Sequence, residues 1–197
     1  HMDAMPYAEV PAFIQKLAKA EPTIGRNALR FTIYNAVRSN ETRFAVWTEF
    51  DLDNAVWTIP AERMKMRETH VVPLSAPVVA LLRQLWEQRT SDTGLIFSKD
   101  GEKPISDVTM NKILRDDAIP NAVVHGFRSS FTDWAAETTD LPKEVADKAL
   151  AHKLPNKVEA AYRRTDFFEK RRKLMAEWAA YLDKTQAADE RTDLAEG

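Results

Sequence analysis

His125-Gly126-Phe127-Arg128-Ser129-Ser130-Phe131 sets an imidazole and a guanidinium three residues apart where an apolar-periodic run begins. At i, i+3 in a helix the two side chains share one face, near the unpaired amides of the first turn. A helix N-terminus with an added guanidinium is a ready anion site, because the amide donors, the dipole and the planar fork all favour negative charge. An isolated HxxR pair also has a plainer reading: a helix-entry histidine, and an arginine paired with some carboxylate.

Composition narrows the chemistry around this segment. The chain has 197 residues, 44% of them hydrophobic and 29% charged, which suits one packed domain with at most a small appendage and argues against global disorder. No run of about 18 apolar residues occurs, so no transmembrane helix is expected, and the start carries no signal-peptide pattern. His1-Met2 reads as a cloning remnant. The absence of cysteine excludes disulfides, thiolate catalysis and Cys-ligated metal, and fits a reducing, cytoplasmic setting. Five glycines leave no Gly-rich phosphate cradle. Only His70, His125 and His152 follow His1, without an HExxH pattern, so neither a metal nor a cofactor is expected. Reactive groups must come from Arg, Lys, His, Tyr and carboxylates.

The net charge of −2 hides an uneven distribution. Asp183 to Gly197 carries five acids against two bases, whereas Ala160 to Met175 carries six bases against two acids. The basic stretch reads either as a solvated helix face or as a DNA-facing surface, with Arg163, Arg164 and Arg171 its candidate contacts.

Apolar periodicity predicts helices over Pro6 to Ala20, Asn27 to Val37 and, after an Asn40 cap, Glu41 to Trp47, with a break at Glu21 to Gly25. β-branched runs at Ala55 to Ile59 and His70 to Leu74 read as strands joined by a polar loop, and Leu95-Ile96-Phe97 as a third. Helices resume at Ala76 to Arg89 and Ser106 to Asp116, each after a serine cap. The second half is helical: Gly126 to Thr138, Pro142 to Ala151, Asn156 to Arg164 and Phe167 to Asp183. The tail after Lys184 is aperiodic and acidic, so it is expected to be mobile.

Other reactive groups are spread along the chain. Arg38 ends the apolar second helix, with Glu41 three residues on, and Lys65 lies between the two main strands. His152 ends a helix, and Tyr162 follows ten residues later beside Arg163 and Arg164. Cations near a tyrosine favour the phenolate, a nucleophile, but such a tyrosine is more often half-buried packing.

The order Arg, Glu, hairpin Lys, His-x-x-Arg, His, Tyr resembles the catalytic domain of the tyrosine recombinases, the phage-type integrases. The stretches IPAERMKM (residues 59–66), VPLS (72–75), HGFRSSF (125–131), EAAYRR (159–164) and FEKRR (168–172) look closest to integrases of genomic islands and integrative elements. The resemblance runs from about Met5 to Leu182. Two boxes depart from it: Asn40 stands where Gly or Ser is common before the acid, and Ala151-His152-Lys153 stands in place of Gly-His-Ser.

The resemblance implies a mainly helical α+β fold with a small antiparallel sheet bearing Lys65. Residues 1–4 would be remnant and N-terminal end, 5–182 the catalytic domain and 183–197 the tail. Arg38 and Arg128 would clamp the scissile phosphate, and His152 would add a hydrogen bond to it. Lys65 would protonate the leaving 5′-oxygen, and His125 would handle protons around the nucleophile. Tyr162 would attack to give a 3′-phosphotyrosyl intermediate, and Glu41 would steady the cluster. The implied function is site-specific cleavage and rejoining of DNA that integrates and excises a mobile element. The implied partners are double-stranded attachment sites, three further copies in a tetramer of the full-length protein, and a directionality factor or host DNA-bending protein. Full-length relatives add an N-terminal core-binding domain, so a deliberate fragment is expected. The alternatives are a type IB topoisomerase-like strand transferase and a non-catalytic DNA-binding regulator.

Overall fold

A computed structural model describes residues 3–119, 121–153 and 165–184. After a short 3-10 turn at Tyr7–Glu9, helix α1 (Val10–Lys19) buries Val10, Phe13, Ile14 and Leu17, the stripe read from the sequence. Helix α2 (Ile24–Asn35) is buried nearly all round. It begins earlier than expected, because the Thr23 hydroxyl accepts a hydrogen bond from the Arg26 amide at 3.1 Å. The stretch read as a break thus supplies the cap and first turn of this helix.

Helix α3 (Ser39–Arg43) is shorter than the expected Glu41 to Trp47 and is capped at Arg38, not Asn40. Glu41 causes the shift: its carboxylate accepts from the Arg38 amide at 2.8 Å, the acid's half of a capping box.

Strands β1 (Phe50–Asp51), β2 (Val56–Ile59) and β3 (His70–Pro73) form one antiparallel sheet in that order. Thr58 pairs with Val71 and Ile59 with His70. The third strand is therefore Phe50-Asp51. Asp51 accepts from the Asn54 amide at 3.0 Å, an Asx turn that folds β1 back on β2. Leu95-Ile96-Phe97 contributes only an isolated bridge between Leu95 and Val46.

Helices α4 (Ala76–Glu87), α5 (Thr109–Asp116), α6 (Gly126–Thr138), α7 (Lys143–Ala149) and α8 (Phe168–Leu182) are the remaining α-helices among the described residues. Helix α5 starts after Ser106, whose hydroxyl accepts from the Val108 amide in a local turn, and Ser75 makes no side-chain cap at α4. The helix expected over 156–164 and the tail after Lys184 lie outside the described residues.

The core joins two aromatic groups. Phe31 packs on Trp57 and Phe97, while Trp178 packs on Phe131 and Trp134. Leu174, Trp178 and Leu182 seat α8 against this core, and the Trp178 indole donates to the Ile33 carbonyl at 3.0 Å. Burying three such side chains contributes about 1.5–3 kcal/mol each. Among the described residues no helix is long and apolar enough to cross a membrane.

The N-terminal segment braces the start of α6. The Val123 amide donates to the Asp3 carbonyl at 3.3 Å, and the Ser130 hydroxyl donates to the Met5 carbonyl. A Cβ at position 126 would lie 2.3 Å from the Asp3 oxygen, so only glycine fits between His125 and Phe127.

Candidate active site

Three segments far apart in sequence bring Arg38, Glu41, His125, Arg128 and His152 to one place. Arg128, one turn into α6, is 5% exposed. Its guanidinium donates to the Ala36 carbonyl at 2.6 Å and the Leu150 carbonyl at 2.7 Å. Both acceptors are helix-end carbonyls, which have no partner within their own helices. Ala36 closes α2 in the left-handed region (φ 51°), and Leu150 closes α7. The C-terminal ends of two helix dipoles thus favour a buried cation here. Burial first, then the nearby Arg38, pushes this guanidinium down to about 10, so it stays charged at neutral pH. Two of its five N–H donors serve the carbonyls, leaving three for an anion.

Arg38 precedes α3 and pairs with Glu41 at 2.9 Å. Glu41 is 4% exposed and also holds the Arg38 amide, so one carboxylate fixes both the backbone and the side chain of this arginine.

His152 follows α7 in a Schellman arrangement: its amide donates to the Asp147 carbonyl at 2.9 Å, and the Ala151 amide donates to Lys148 at 3.0 Å. Ala151 takes the left-handed position (φ 50°) that glycine usually fills. The His152 imidazole faces the Asp147 carboxylate at 3.4 Å. Partial burial, then Arg128, lowers the His152 imidazole below its ordinary value, with Asp147 opposing. His125 caps α6 and is lowered by partial burial, then Arg128, Arg38 and His152. The site therefore holds two guanidiniums and two imidazoles biased toward neutrality; Glu41 pairs with Arg38, whereas Arg128 forms no ion pair among the described residues.

Lys65 sits in the loop between β2 and β3, exposed and without a hydrogen bond or ion pair to the described residues. The neighbours Met64 and Met66 line a cavity of about 420 Å³ together with His70, His152 and Arg171. The loop and His152 thus face the same space. Tyr162, Arg163 and Arg164 lie outside the described residues.

Arg171 differs from its reading as a DNA contact. It is 3% exposed and its guanidinium is spent on protein acceptors, because α8 turns that side toward the sheet. Two groups escaped the sequence reading. Asp147 stands five residues before His152, a spacing that matches no helix face and works only because the chain leaves α7 between them. His70 follows the strand pattern, and it is half-buried where α8 packs on β3.

Helices around a three-stranded antiparallel sheet, with two arginines and two histidines gathered at helix ends, define the class as tyrosine recombinase catalytic domains. The fold matches the crystal structure of XerA recombinase with a TM-score of 0.59 at 11% identity, over 100% of this chain and 64% of that one. It also matches XerH site-specific recombinase bound to its difH substrate in a pre-cleavage complex, again at 0.59, with 20% identity over 80% of this chain and 49% of that one. The chain belongs to the phage integrase family, whose sequence model matches residues 4–169. It is 36% identical to the integrase of Enterobacteria phage P4 over 93% of this chain and 46% of that protein. It is 30% identical to the prophage integrase IntZ of Escherichia coli K12 over 96% of this chain and 47% of that protein. The chain spans about half the length of the curated relatives it matches.

Proposed function

We propose that this chain is the catalytic domain of a site-specific DNA recombinase that cleaves and rejoins strands to integrate and excise a mobile element. One observation carries the proposal: Arg38, His125, Arg128 and His152 converge from three segments, and Arg128 forms no ion pair among the described residues. A phosphodiester under attack gains charge on its non-bridging oxygens, and preorganised guanidinium forks stabilise that charge.

In this mechanism the Tyr162 oxygen attacks phosphorus and the 5′-oxygen departs, leaving a 3′-phosphotyrosyl bond. Lys65 supplies the proton to the 5′-oxygen, and His125 takes or returns the tyrosine proton. Arg38, Arg128 and His152 hold the phosphate throughout. The covalent bond keeps the phosphoryl group activated, so rejoining runs the same steps in reverse.

The other tyrosines support Tyr162 as nucleophile. Tyr34 donates to Asp183, Tyr7 to Glu137 at 2.5 Å and Tyr181 to the Tyr7 carbonyl at 3.0 Å. Each phenol is raised above its ordinary value: Tyr34 and Tyr181 first by burial, Tyr7 first by its bond to Glu137. A phenol so raised gives up its proton less readily. The sequence has four tyrosines, so Tyr162 remains. The XerH complex supports a DNA substrate, and the proposal extends to a tetramer on paired attachment sites, a directionality or DNA-bending partner and a cytoplasmic location.

The test is covalent capture. Incubating the protein with nicked duplexes of randomised sequence should yield protein–DNA adducts, which define the substrate, and peptide mapping should place the link on Tyr162. Tyr162→Phe should abolish the adduct while DNA affinity stays within a few fold. An adduct that persists in this variant, or one mapped to another residue, refutes the assignment.

A further inference from the structure

Arg171 is an arginine buried in a place where its charge has little to gain from solvent. Taking a guanidinium out of water costs several kcal/mol unless its donors are matched. Here they are matched to two stretches of main chain. Nε donates to the Asp166 carbonyl at 2.7 Å and Nη1 to the Val71 carbonyl at 2.6 Å, while Nη2 lies 3.4 Å from the Asp166 carboxylate.

The two carbonyls belong to separate parts of the proposed machinery. Val71 is in β3, six residues after Lys65, and β3 is an edge strand whose outer carbonyls lack a strand partner. Asp166 lies four residues after Tyr162 in the sequence. Next to Val71, His70 lines the same cavity as His152 and Arg171. Arg171 therefore ties the strand that follows the Lys65 loop to Asp166, just after Tyr162 in the sequence.

We propose that Arg171 is a positioning residue that clamps the Lys65 hairpin to the chain following Tyr162 and keeps general acid and nucleophile in register. This rests on the assignment of Lys65 and Tyr162 above. Only arginine suits the position: its planar fork reaches two carbonyls at once, whereas a lysine ammonium is a single point on a shorter arm. Asp166 supplies the compensating charge, so the clamp carries its own counter-ion.

Arg171→Lys tests the clamp because it preserves charge and removes the fork. The first measurement is hydrogen exchange, which needs no DNA. Amides of loop 60–69 and of Thr165 to Phe167 should exchange at least about tenfold faster, while α1 and α2 are unchanged. The second is the rate of adduct formation on the duplex obtained by covalent capture. It should fall about 10²-fold, the scale of a misplacement near 1 Å, with DNA affinity within threefold. The third uses a 5′-bridging sulfur, which leaves without a proton. It should restore Lys65→Ala almost fully but Arg171→Lys only in part, because the tyrosine side of the clamp is still loose.

Unchanged exchange in both segments refutes the clamp. So does an adduct rate within twofold of the parent, or a fall in DNA affinity that accounts for the whole rate loss. Sulfur rescue as complete as that of Lys65→Ala confines Arg171 to the hairpin and overturns the two-sided clamp. If Arg171→Lys does not unfold cooperatively, Arg171→Met fills the same slot without a buried charge and faces the same measurements. A parent protein that forms no adduct refutes the functional reading, and the exchange measurement still decides the clamp.

Discussion

Replacing Glu41 by glutamine removes one negative charge from a site with two fixed arginines, and the structure sets the size of the effect. Losing one member of a fully buried ion pair costs about 3–5 kcal/mol. Two features reduce that figure. The Arg38 side chain keeps 23% of its exposure, so water screens part of the pair, and glutamine retains an acceptor for the Arg38 amide. The expected loss is about 2 kcal/mol, or about 4–8 °C in Tm for a chain of this length. Glutamine also leaves Arg38 and Arg128 repelling each other, so an added dianion should bind the variant more tightly than the parent. Melting curves in sulfate and in chloride at matched ionic strength separate this effect from general salt stabilisation, which acts on both proteins alike. The variant should recover about 1 kcal/mol more than the parent does in sulfate, the gain of a ligand near five times its Kd. Equal sulfate responses in the two proteins would show that the arginines do not form an anion site, and a Tm within 1 °C of the parent would show that Glu41 does not hold them.

Two further outcomes follow from backbone and titration. His70 is held at about 4 by burial first and then Arg171, with Arg128 adding to this, while Glu41 and the Ala149 carbonyl oppose it. The unfolded chain binds this proton near pH 6.5, so stability is full above that value and declines by about 1.4 kcal/mol per unit as pH falls toward 4. His70→Gln should flatten urea-melt stability between pH 6.5 and 4.5, leaving the smaller contributions of His125 and His152; an unaltered slope would remove His70 as the main acid-sensitive group. Ala151 occupies a left-handed position (φ 50°), which costs a non-glycine residue about 1 kcal/mol. Ala151→Gly should raise Tm by about 2–4 °C without displacing His152 from Asp147, and a lowered Tm would contradict the reading of this helix end.

Local patterns made much of the molecule legible in advance. Helices α1, α6 and α8 follow from apolar spacing, because burying one face of a helix imposes the same 3.6-residue period wherever it packs. The hairpin around Lys65 follows from its two β-branched runs. The misplaced helix starts have one cause: caps are chosen by competition among nearby polar side chains. Thr23 and Glu41 won at α2 and α3, while Ser75 and Ser106 did not bond where their positions suggested. Phe50-Asp51 became a strand because the Asx turn at Asp51 folded it onto β2, although two residues carry too little pattern to be seen.

The sequence by itself determined which reactive groups the chain owns, their order, and the helices and hairpin that carry them, since these depend on contacts within a few residues. Tertiary structure alone decided which of them meet. Arg128 stays buried and charged because the ends of α2 and α7, from opposite halves of the chain, offer it free carbonyls. Arg171 sits in a basic run like its neighbours and differs from them only because α8 turns it toward the edge of the sheet. The burial of neither is marked in the sequence, because the acceptors are backbone oxygens. Every residue carries one, and packing alone selects which of them a guanidinium reaches.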